Sequence, residues 1–339
     1  MHFLITGHTG FKGSWLTLLL HERGHEVSGL SLDPEENSLF LKAGLGKKIQ
    51  RDFRCDIRDH LKLESYFKST NADIVIHMAA QALVRESYKD PLLTYETNAI
   101  GTLNVLKASQ TLPNLKAQLV ITTDKVYKNG DKSTGYIESD PLGGHDPYSA
   151  SKAMADIATQ SWLASFENAP TAIARAGNVI GGGDICSDRL IPDLVNFYSS
   201  GSVPKLRSPD SVRPWQHVLD CLNGYLKLID ALLLGTGSGV WNFGPNENTS
   251  RTVADLANIA SEVWESSESW ESDLGDQPYE AHRLLLNSTK ARTQLGWSDL
   301  LSFEESVIWT MNWYKNVYGG ANAYREMLSN IQEFEKRVK

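Results

Sequence analysis

The stretch His2-Phe3-Leu4-Ile5-Thr6-Gly7-His8-Thr9-Gly10-Phe11-Lys12-Gly13 leads straight into Trp15-Leu16-Thr17-Leu18-Leu19-Leu20. A short apolar run, a glycine turn and a longer apolar segment in this order read as a buried strand, a tight turn and a buried helix. Gly7 permits the turn, Gly10 lets the backbone approach a pyrophosphate, and Gly13 lets helix and strand pack closely. The phosphates would then sit at the helix N-terminus, where free N–H groups and the helix dipole favour an anion. The spacing is GxxGxxG and departs from GxGxxG. Asp33 stands twenty residues after Gly13, at the end of a second expected strand, Val27 to Leu32. A carboxylate there can accept from a ribose 2′-hydroxyl and repel a 2′-phosphate, which points to NAD over NADP. The bland alternative is a glycine turn that only connects strand to helix.

Working outward, short apolar strands alternate with helical segments. Strands are expected near Gln50 to Cys55, Ile74 to Met78, Leu119 to Thr122 and Thr171 to Arg175. Helices are expected near Leu61 to Ser69, Pro91 to Ser109 and Pro147 to Phe166. Such alternation requires crossover connections and a parallel sheet covered on both faces. The fold class is therefore α/β, a Rossmann-type doubly wound parallel sheet with a smaller mixed lobe. In that architecture ligands bind beyond the carboxyl ends of the strands. Asp56-Ile57, Ala79-Ala80-Gln81, the cluster at Thr123 and Arg175-Ala176-Gly177-Asn178 all fall at such ends. Residues 1–180, with about 215–243 returning to them, form the expected nucleotide domain; about 181–214 and 244–339 form the second lobe. A helix near Val218 to Leu234 and a strand near Val240 to Phe243 carry the return, whereas the stretches around Gly181 and Arg189 read as irregular. Glu265 to Gln277, rich in Ser, Glu and Asp, reads as a mobile, solvated loop.

Two short motifs carry the chemistry. In Tyr148-Ser149-Ala150-Ser151-Lys152 the phenol and the ammonium are four residues apart and share a helix face. A tyrosine titrates near ~10, so a neighbouring cation is what brings its phenolate within reach of neutral pH. Thr122-Thr123-Asp124-Lys125-Val126-Tyr127 places a hydroxyl, a carboxylate and an amine side by side at a strand end. A YxxxK string alone also arises on ordinary surface helices, and Asp124-Lys125 alone could be a solvated turn, so the weight lies in their combination. His145 and His217 read as structural hydrogen-bonding residues.

Composition agrees with this reading and excludes others. At 339 residues with 41% apolar residues the chain can bury a large core, against fibrous or disordered classes. A net charge of −8 argues against nucleic-acid binding, so an anionic substrate must be met by locally placed arginines or helix N-termini. Cys55, Cys186 and Cys221 are odd in number and in no metal spacing, which suits a reducing compartment, and no metal site is expected. No apolar run approaches the ~20 residues of a membrane span, and the first residues lack the flanks of a signal peptide, so the cytoplasm is the default.

Over essentially its whole length the chain resembles an extended short-chain dehydrogenase/reductase of the NAD-dependent epimerase/dehydratase family. Within it, the chain is most similar to the 4,6-dehydratases of CDP-glucose. The matching stretches are TGHTGFKGSWL from Thr6, DPLGGHDPYSASK from Asp140, RAGNVIGGGD from Arg175, DRLIPDL from Asp188, RPWQHVLD from Arg213 and WNFGP from Trp241. The resemblance implies NAD, a nucleotide-sugar substrate (CDP-glucose) and a homodimer, with room for a dimer of dimers, built on the two long helices near Pro91 to Ser109 and Pro147 to Phe166.

It also implies a chemistry and a set of site residues. In that chemistry carbon 4 of the sugar is oxidised, water is eliminated across carbons 5 and 6, and hydride returns to carbon 6, feeding deoxysugar (O-antigen) synthesis. The resemblance assigns Thr123, Tyr148 and Lys152 to the oxidation and Asp124 to the acid, which must be held protonated. Lys125 replaces a glutamate and is either a neutral base or a charged enolate stabiliser. Phe11, Asp56, Ile57, Ala79, Ala80, Gln81 and Asn98 join the glycines, Asp33, Tyr148 and Lys152 at the cofactor. Asn178, Arg189, Leu190, Arg213 and Glu280 are expected at the substrate. Val126 and Asn287 depart from the family pattern, where cysteine and aspartate are common. The alternatives are an NAD-retaining 4-epimerase, a dehydratase for another nucleotide glucose, and a non-catalytic NAD-binding module.

Overall fold

The computed structural model describes residues 1–130, 132, 134–166, 169–246, 251–273 and 284–338. Through the first half the elements run β1 (His2–Thr6), α1 (Phe11–Glu22), β2 (Glu26–Ser31), α2 (Leu39–Lys42), β3 (Arg51–Arg54), α3 (His60–Ser69) and β4 (Ile74–His77). Next come α4 (Val84–Lys89), α5 (Pro91–Tyr95), α6 (Gly101–Ser109), β5 (Ala117–Thr123), α7 (Pro147–Ser165) and β6 (Thr171–Ala176). Then follow β7 (Val179–Ile180), α8 (Leu190–Ser199), β8 (Lys205–Leu206), β9 (Val212–Arg213), β10 (Gln216–His217), α9 (Val218–Leu233) and β11 (Gly239–Phe243). The last are β12 (Arg251–Thr252), α10 (Val253–Trp264), β13 (Glu271–Ser272), α11 (Thr289–Leu295), α12 (Phe303–Tyr318) and α13 (Ala323–Val338).

Seven strands make one sheet in the order β11-β6-β5-β4-β1-β2-β3, every pair parallel. The order reverses between β1 and β4, and that switch point opens the crevice into which ligands of such sheets bind. Because side chains alternate across a strand, β1 feeds two cores: Phe3 and Ile5 pack with α1 and α9, while Leu4 packs with Leu63, Phe67 and Val105 of α3 and α6. Helix α1 is buried from Gly13 to Leu20, as an apolar run without a polar face requires. Phe334 and Met327 of α13 join the same core as Phe3 and Trp15, so the C-terminal helices pack onto α1 and its neighbours.

The structure adds a detail to one expected helix and corrects two other expectations. The helix expected across Pro91 to Ser109 is α5 and α6 joined by a π turn, Glu96–Ile100, which widens the coil where Asn98 must turn inward. The stretch around Arg189 is not irregular: Leu190–Ser199 is a helix, buried along Ile191, Leu194, Val195 and Tyr198. The supposed solvated loop is pinned at least through Ser272, because β13 pairs with β8 and the Tyr198 hydroxyl donates to the Ser269 carbonyl at 2.8 Å. Residues 274–277 of that stretch lie outside the described residues. Among the described residues no helix is long and apolar enough to cross a membrane.

Beneath the crevice lies a buried ion pair. Arg175 of β6 is 1% exposed and Asp156 of α7 is 0% exposed; Nε and Nη2 donate to the two carboxylate oxygens at 2.8 and 2.7 Å. Thr122 of β5 donates to the same carboxylate at 3.1 Å, and Arg175 Nη1 donates to the Tyr127 hydroxyl at 2.9 Å. Arg175→Met leaves Asp156 buried without its partner and should cost about 3–5 kcal/mol in urea unfolding. Arg175→Met with Asp156→Leu should recover most of that loss; a double variant as unstable as the single one would mean that packing, not charge, holds the contact.

Candidate active site

Six strand ends open onto one cavity of about 1340 Å³. The β1 turn supplies Gly7, Gly10, Phe11 and Gly13 to its wall, β2 leads to Asp33, and β3 leads to Asp56 and Ile57. Ala79, Ala80 and Gln81 follow β4, Thr123, Asp124 and Lys125 end β5, and Gly177 and Asn178 follow β6.

The turn after β1 is shaped for a close ligand. Gly7 has φ +77°, and a Cβ there would lie 2.7 Å from the Ala79 nitrogen. A Cβ on Gly13 would lie 2.2 Å from the Gly7 carbonyl oxygen, so only glycine allows α1 to start this near the turn. Gly10, by contrast, meets nothing nearer than the Gly7 oxygen at 3.4 Å. Helix α1 begins with no side-chain cap and no acid in its first turn, leaving N–H groups aimed at the cavity. A diphosphate fits this arrangement, and Asp33, 89% exposed on its side chain, stands on the rim where a ribose would follow.

At the end of β5 the chain closes a short 3₁₀ turn, Asp124–Val126, capped by Thr123, whose hydroxyl accepts from the Lys125 nitrogen at 3.3 Å. The same hydroxyl donates to Asp124 Oδ1 at 2.9 Å. Asp124 is 2% exposed, and its Oδ2 has no hydrogen-bond partner. Burial raises its pKa against the pull of Lys125, Thr123 and Arg213, which favours the neutral acid. Gly177 makes room for it, since a Cβ there would lie 3.2 Å from Oδ2 and 2.6 Å from Pro214 Cγ.

Tyr148 enters on the first turn of α7, whose N-cap Asp146 accepts from the Ser149 nitrogen at 2.9 Å. The Tyr148 nitrogen donates to Ser87 Oγ at 3.1 Å. Burial pushes the phenol up to about 12, with Thr123 pulling it back. Lys152, 5% exposed, sits one turn along α7 behind the cavity wall; its Nζ donates to the Ile121 carbonyl at 2.9 Å, and burial brings it down to about 8.

The remaining expected residues divide. Arg213, Asn178, Arg189 and Leu190 line the same cavity. Arg189 is held by Asp184 at 2.8 Å. Asp56 faces the cavity while paired to Arg58 at 2.6 Å, whose hydrogen bond lowers its pKa. Asn98 does not line the cavity: its amide accepts from the Gln81 nitrogen at 2.9 Å and donates to the Gln81 carbonyl and to Ser151, so it shapes the loop behind the wall. Glu280 lies outside the described residues. His145 lines the cavity, whereas His217 is the buried N-cap of α9, accepting from Leu219 at 3.3 Å. Sequence reasoning missed Lys12, Arg85, Arg207 and Trp215, which also line the cavity. Only Lys12, inside the glycine turn, carried a signal of position.

Fold and site together define a dinucleotide-binding α/β enzyme with a threonine and a tyrosine on the cavity wall and a lysine buried behind it. A sequence model of the NAD dependent epimerase/dehydratase family matches residues 3–244. The chain belongs to that family. It is 41% identical over 322 residues to the CDP-glucose 4,6-dehydratase of Salmonella typhimurium, covering 92% of this chain and 89% of that one. It is 28% identical to the probable dTDP-glucose 4,6-dehydratase of Sinorhizobium fredii, with 93% of each chain covered. Among solved structures it resembles the dTDP-glucose 4,6-dehydratase of Streptomyces venezuelae with NAD and TYD bound, at TM-score 0.81 and 25% identity over 94% of this chain and 98% of the other. It also resembles the NAD complex of UDP-glucose 4-epimerase from Thermus thermophilus, at TM-score 0.79 and 25% identity over 93% and 99% of the two chains.

Two buried histidines flank this site. His77 lies between Thr6 and Thr102 at 2.7 and 2.9 Å, and burial pushes both His77 and His217 down to about 3. Between pH 6.5 and 3 the unfolded chain therefore binds more protons than the native one, and stability falls as pH falls through that window. The loss should approach about 1.4 kcal/mol per pH unit for each histidine. Urea unfolding of His217→Gln should show a shallower slope below pH 6.5 than the parent; equal slopes would mean that His217 protonates freely in the folded state.

Proposed function

We propose that the protein dehydrates CDP-glucose to CDP-4-dehydro-6-deoxyglucose, a hydro-lyase reaction feeding deoxysugar synthesis such as that of O-antigens. The observation that carries the reading is Asp124: a buried carboxyl with a raised pKa and an unpartnered oxygen, beside Thr123 and Tyr148. A 4-epimerase has no use for an acid at that place, because it removes no hydroxyl.

The glycine turn would hold NAD, which would supply a reversible acceptor for the hydrogen on sugar carbon 4 and give it back at carbon 6 once water has left. Tyr148 takes the carbon 4 hydroxyl proton, with Thr123 sharing its hydrogen bond and the Lys152 ammonium favouring the phenolate. The resulting ketone acidifies carbon 5. Asp124, whose neutral form burial favours, donates its proton to the departing carbon 6 hydroxyl. Lys125 serves carbon 5, as a base if neutral or as the enolate's counter-ion if charged; activity retained in Lys125→Arg identifies the charged role. Arg213 and Asn178 hold the substrate diphosphate, and Arg189 with Leu190 at the start of α8 covers the nucleotide.

The lobes follow the division at about residue 180, with 215–243 returning to the first. The outer faces of the two long helices expose Leu92, Ile100, Met154 and Ile157. Such a stripe suits a homodimer packed as a four-helix bundle, which could pair again. Buried Cys55 and Cys221 suit the cytoplasm.

Mass spectrometry of the protein incubated with CDP-, UDP- and dTDP-glucose should show loss of one water from the CDP sugar alone. An unchanged mass with a new epimer would establish the isomerase reading instead. Asp124→Asn should slow water loss about 10²–10⁴-fold and accumulate a 4-keto sugar that keeps its carbon 6 hydroxyl, detectable by borohydride trapping. Tyr148→Phe should form no keto sugar. Unchanged turnover in Asp124→Asn would remove that residue from the mechanism.

A further inference from the structure

Four residues outside the sugar chemistry form a continuous chain from the glycine turn to the cavity rim. His8, 0% exposed within the turn, places Nε2 2.9 Å from Asp52 Oδ1. Its ring has space only because residue 29 is glycine, where a Cβ would lie 2.3 Å from the imidazole. Asp52 receives the Arg54 guanidinium in a fork, Nη1 on one oxygen and Nη2 on the other at 2.8 Å. Arg54 then turns Nε to Asp33 Oδ1 at 3.2 Å. β3 is registered with Arg54 opposite Ser31 of β2, which brings the arginine beside the segment leading to Asp33.

We propose that Asp33 and Arg54 are one recognition unit for the adenosine ribose, in which Arg54 places the Asp33 carboxylate and is itself a 2′-phosphate anchor masked by that carboxylate. Asp33 is 89% exposed, and the guanidinium at 3.2 Å is the cation that pairs with it. Arg54 is tied to Asp52 and, through it, to the turn that carries the diphosphate. Asp33 and Asp52 against Arg54 leave the cluster with one net negative charge, which favours a ribose hydroxyl donor and repels a phosphate. A neutral isostere at residue 33 removes that excess and frees the Nε–H edge, and a guanidinium edge is the preferred partner of a phosphate. Glu35 lies nearby on the cavity wall and limits the gain.

This inference rests on the dinucleotide reading of the glycine turn, and direct binding separates the two. The nucleotide-free protein would be titrated calorimetrically with NAD and with NADP as wild type, Asp33→Asn, Arg54→Met and the double variant. Wild type should take NAD and discriminate against NADP. Arg54→Met should weaken NAD by about threefold to tenfold, since the Asp33 carboxylate loses its placement. Asp33→Asn should bind NADP at least about tenfold tighter than wild type, and the double variant should lose that gain. Equal NADP affinity in Asp33→Asn and the double variant would overturn the proposal alone. Failure of wild type to bind NAD would overturn the cofactor reading and this one with it. NAD binding by each variant reports that it has folded.

Discussion

The buried pair of Asp156 and Arg175 fixes the geometry on which the site depends. Asp156 stands four residues beyond Lys152 and eight beyond Tyr148, on the same face of α7. Clamping it to β6, with Thr122 of β5 on the same carboxylate, sets the rotation of the helix against both strands. Tyr148 is thereby turned to the cavity while Lys152 reaches Ile121 of β5. Arg175 then passes through Tyr127 to Asn242 of β11, so the adjacent strands β5, β6 and β11 and the helix carrying the phenol are locked by one network. A pair of this kind contributes little net stability against an apolar replacement, yet losing one partner is costly. Its value here is register.

How much of this was legible in the sequence follows from what each element owes to local pattern. Strands β1, β4, β5 and β6 are largely apolar runs between turn residues, and a fully buried parallel strand shows that signal directly. Gly7 and Gly13 were readable because no other residue fits their contacts. Tyr148, Lys152, Thr123 and Asp124 were found by type and spacing. Helix α4 escaped notice because Val84-Arg85-Glu86-Ser87-Tyr88-Lys89 buries only Ser87, leaving no apolar period to read. The π turn was invisible for a related reason: it is imposed by Asn98 hydrogen-bonding Gln81 and Ser151, partners 17 and 53 residues away. Glu271–Ser272 is polar on its face and becomes a strand only through β8. Pairings of long sequence separation leave no trace in a local window.

Charge distribution makes a similar point. The chain carries a net −8, yet Lys12, Arg85, Arg189, Arg207 and Arg213 line one cavity. Carboxylates line the same cavity, among them Asp188, which pairs with Arg85 and Arg207, and Asp184, which pairs with Arg189, so an anionic nucleotide must be met by individually placed groups rather than by a net positive field. Summed composition could exclude nucleic acid, but only the fold shows where the cations meet.

Burial acts on three groups of the site in ways that can be compared. It raises Asp124 toward a neutral acid, raises Tyr148 to about 12 and lowers Lys152 to about 8. In the proposed reaction the first shift would serve the elimination, because an acid must still hold its proton when the hydroxyl leaves. The second opposes oxidation, because a phenol at 12 is a poor base at neutral pH. The proposed site thus sets an acid that burial favours beside a base that burial disfavours. Its phenol needs added positive charge, and Lys152 supplies part while still mostly an ammonium at neutral pH. In the proposed oxidation the remainder would arrive with what binds, which would couple proton removal by Tyr148 to occupancy of the cavity. For Asp124, burial by the folded chain already acts in the direction a proton donor needs.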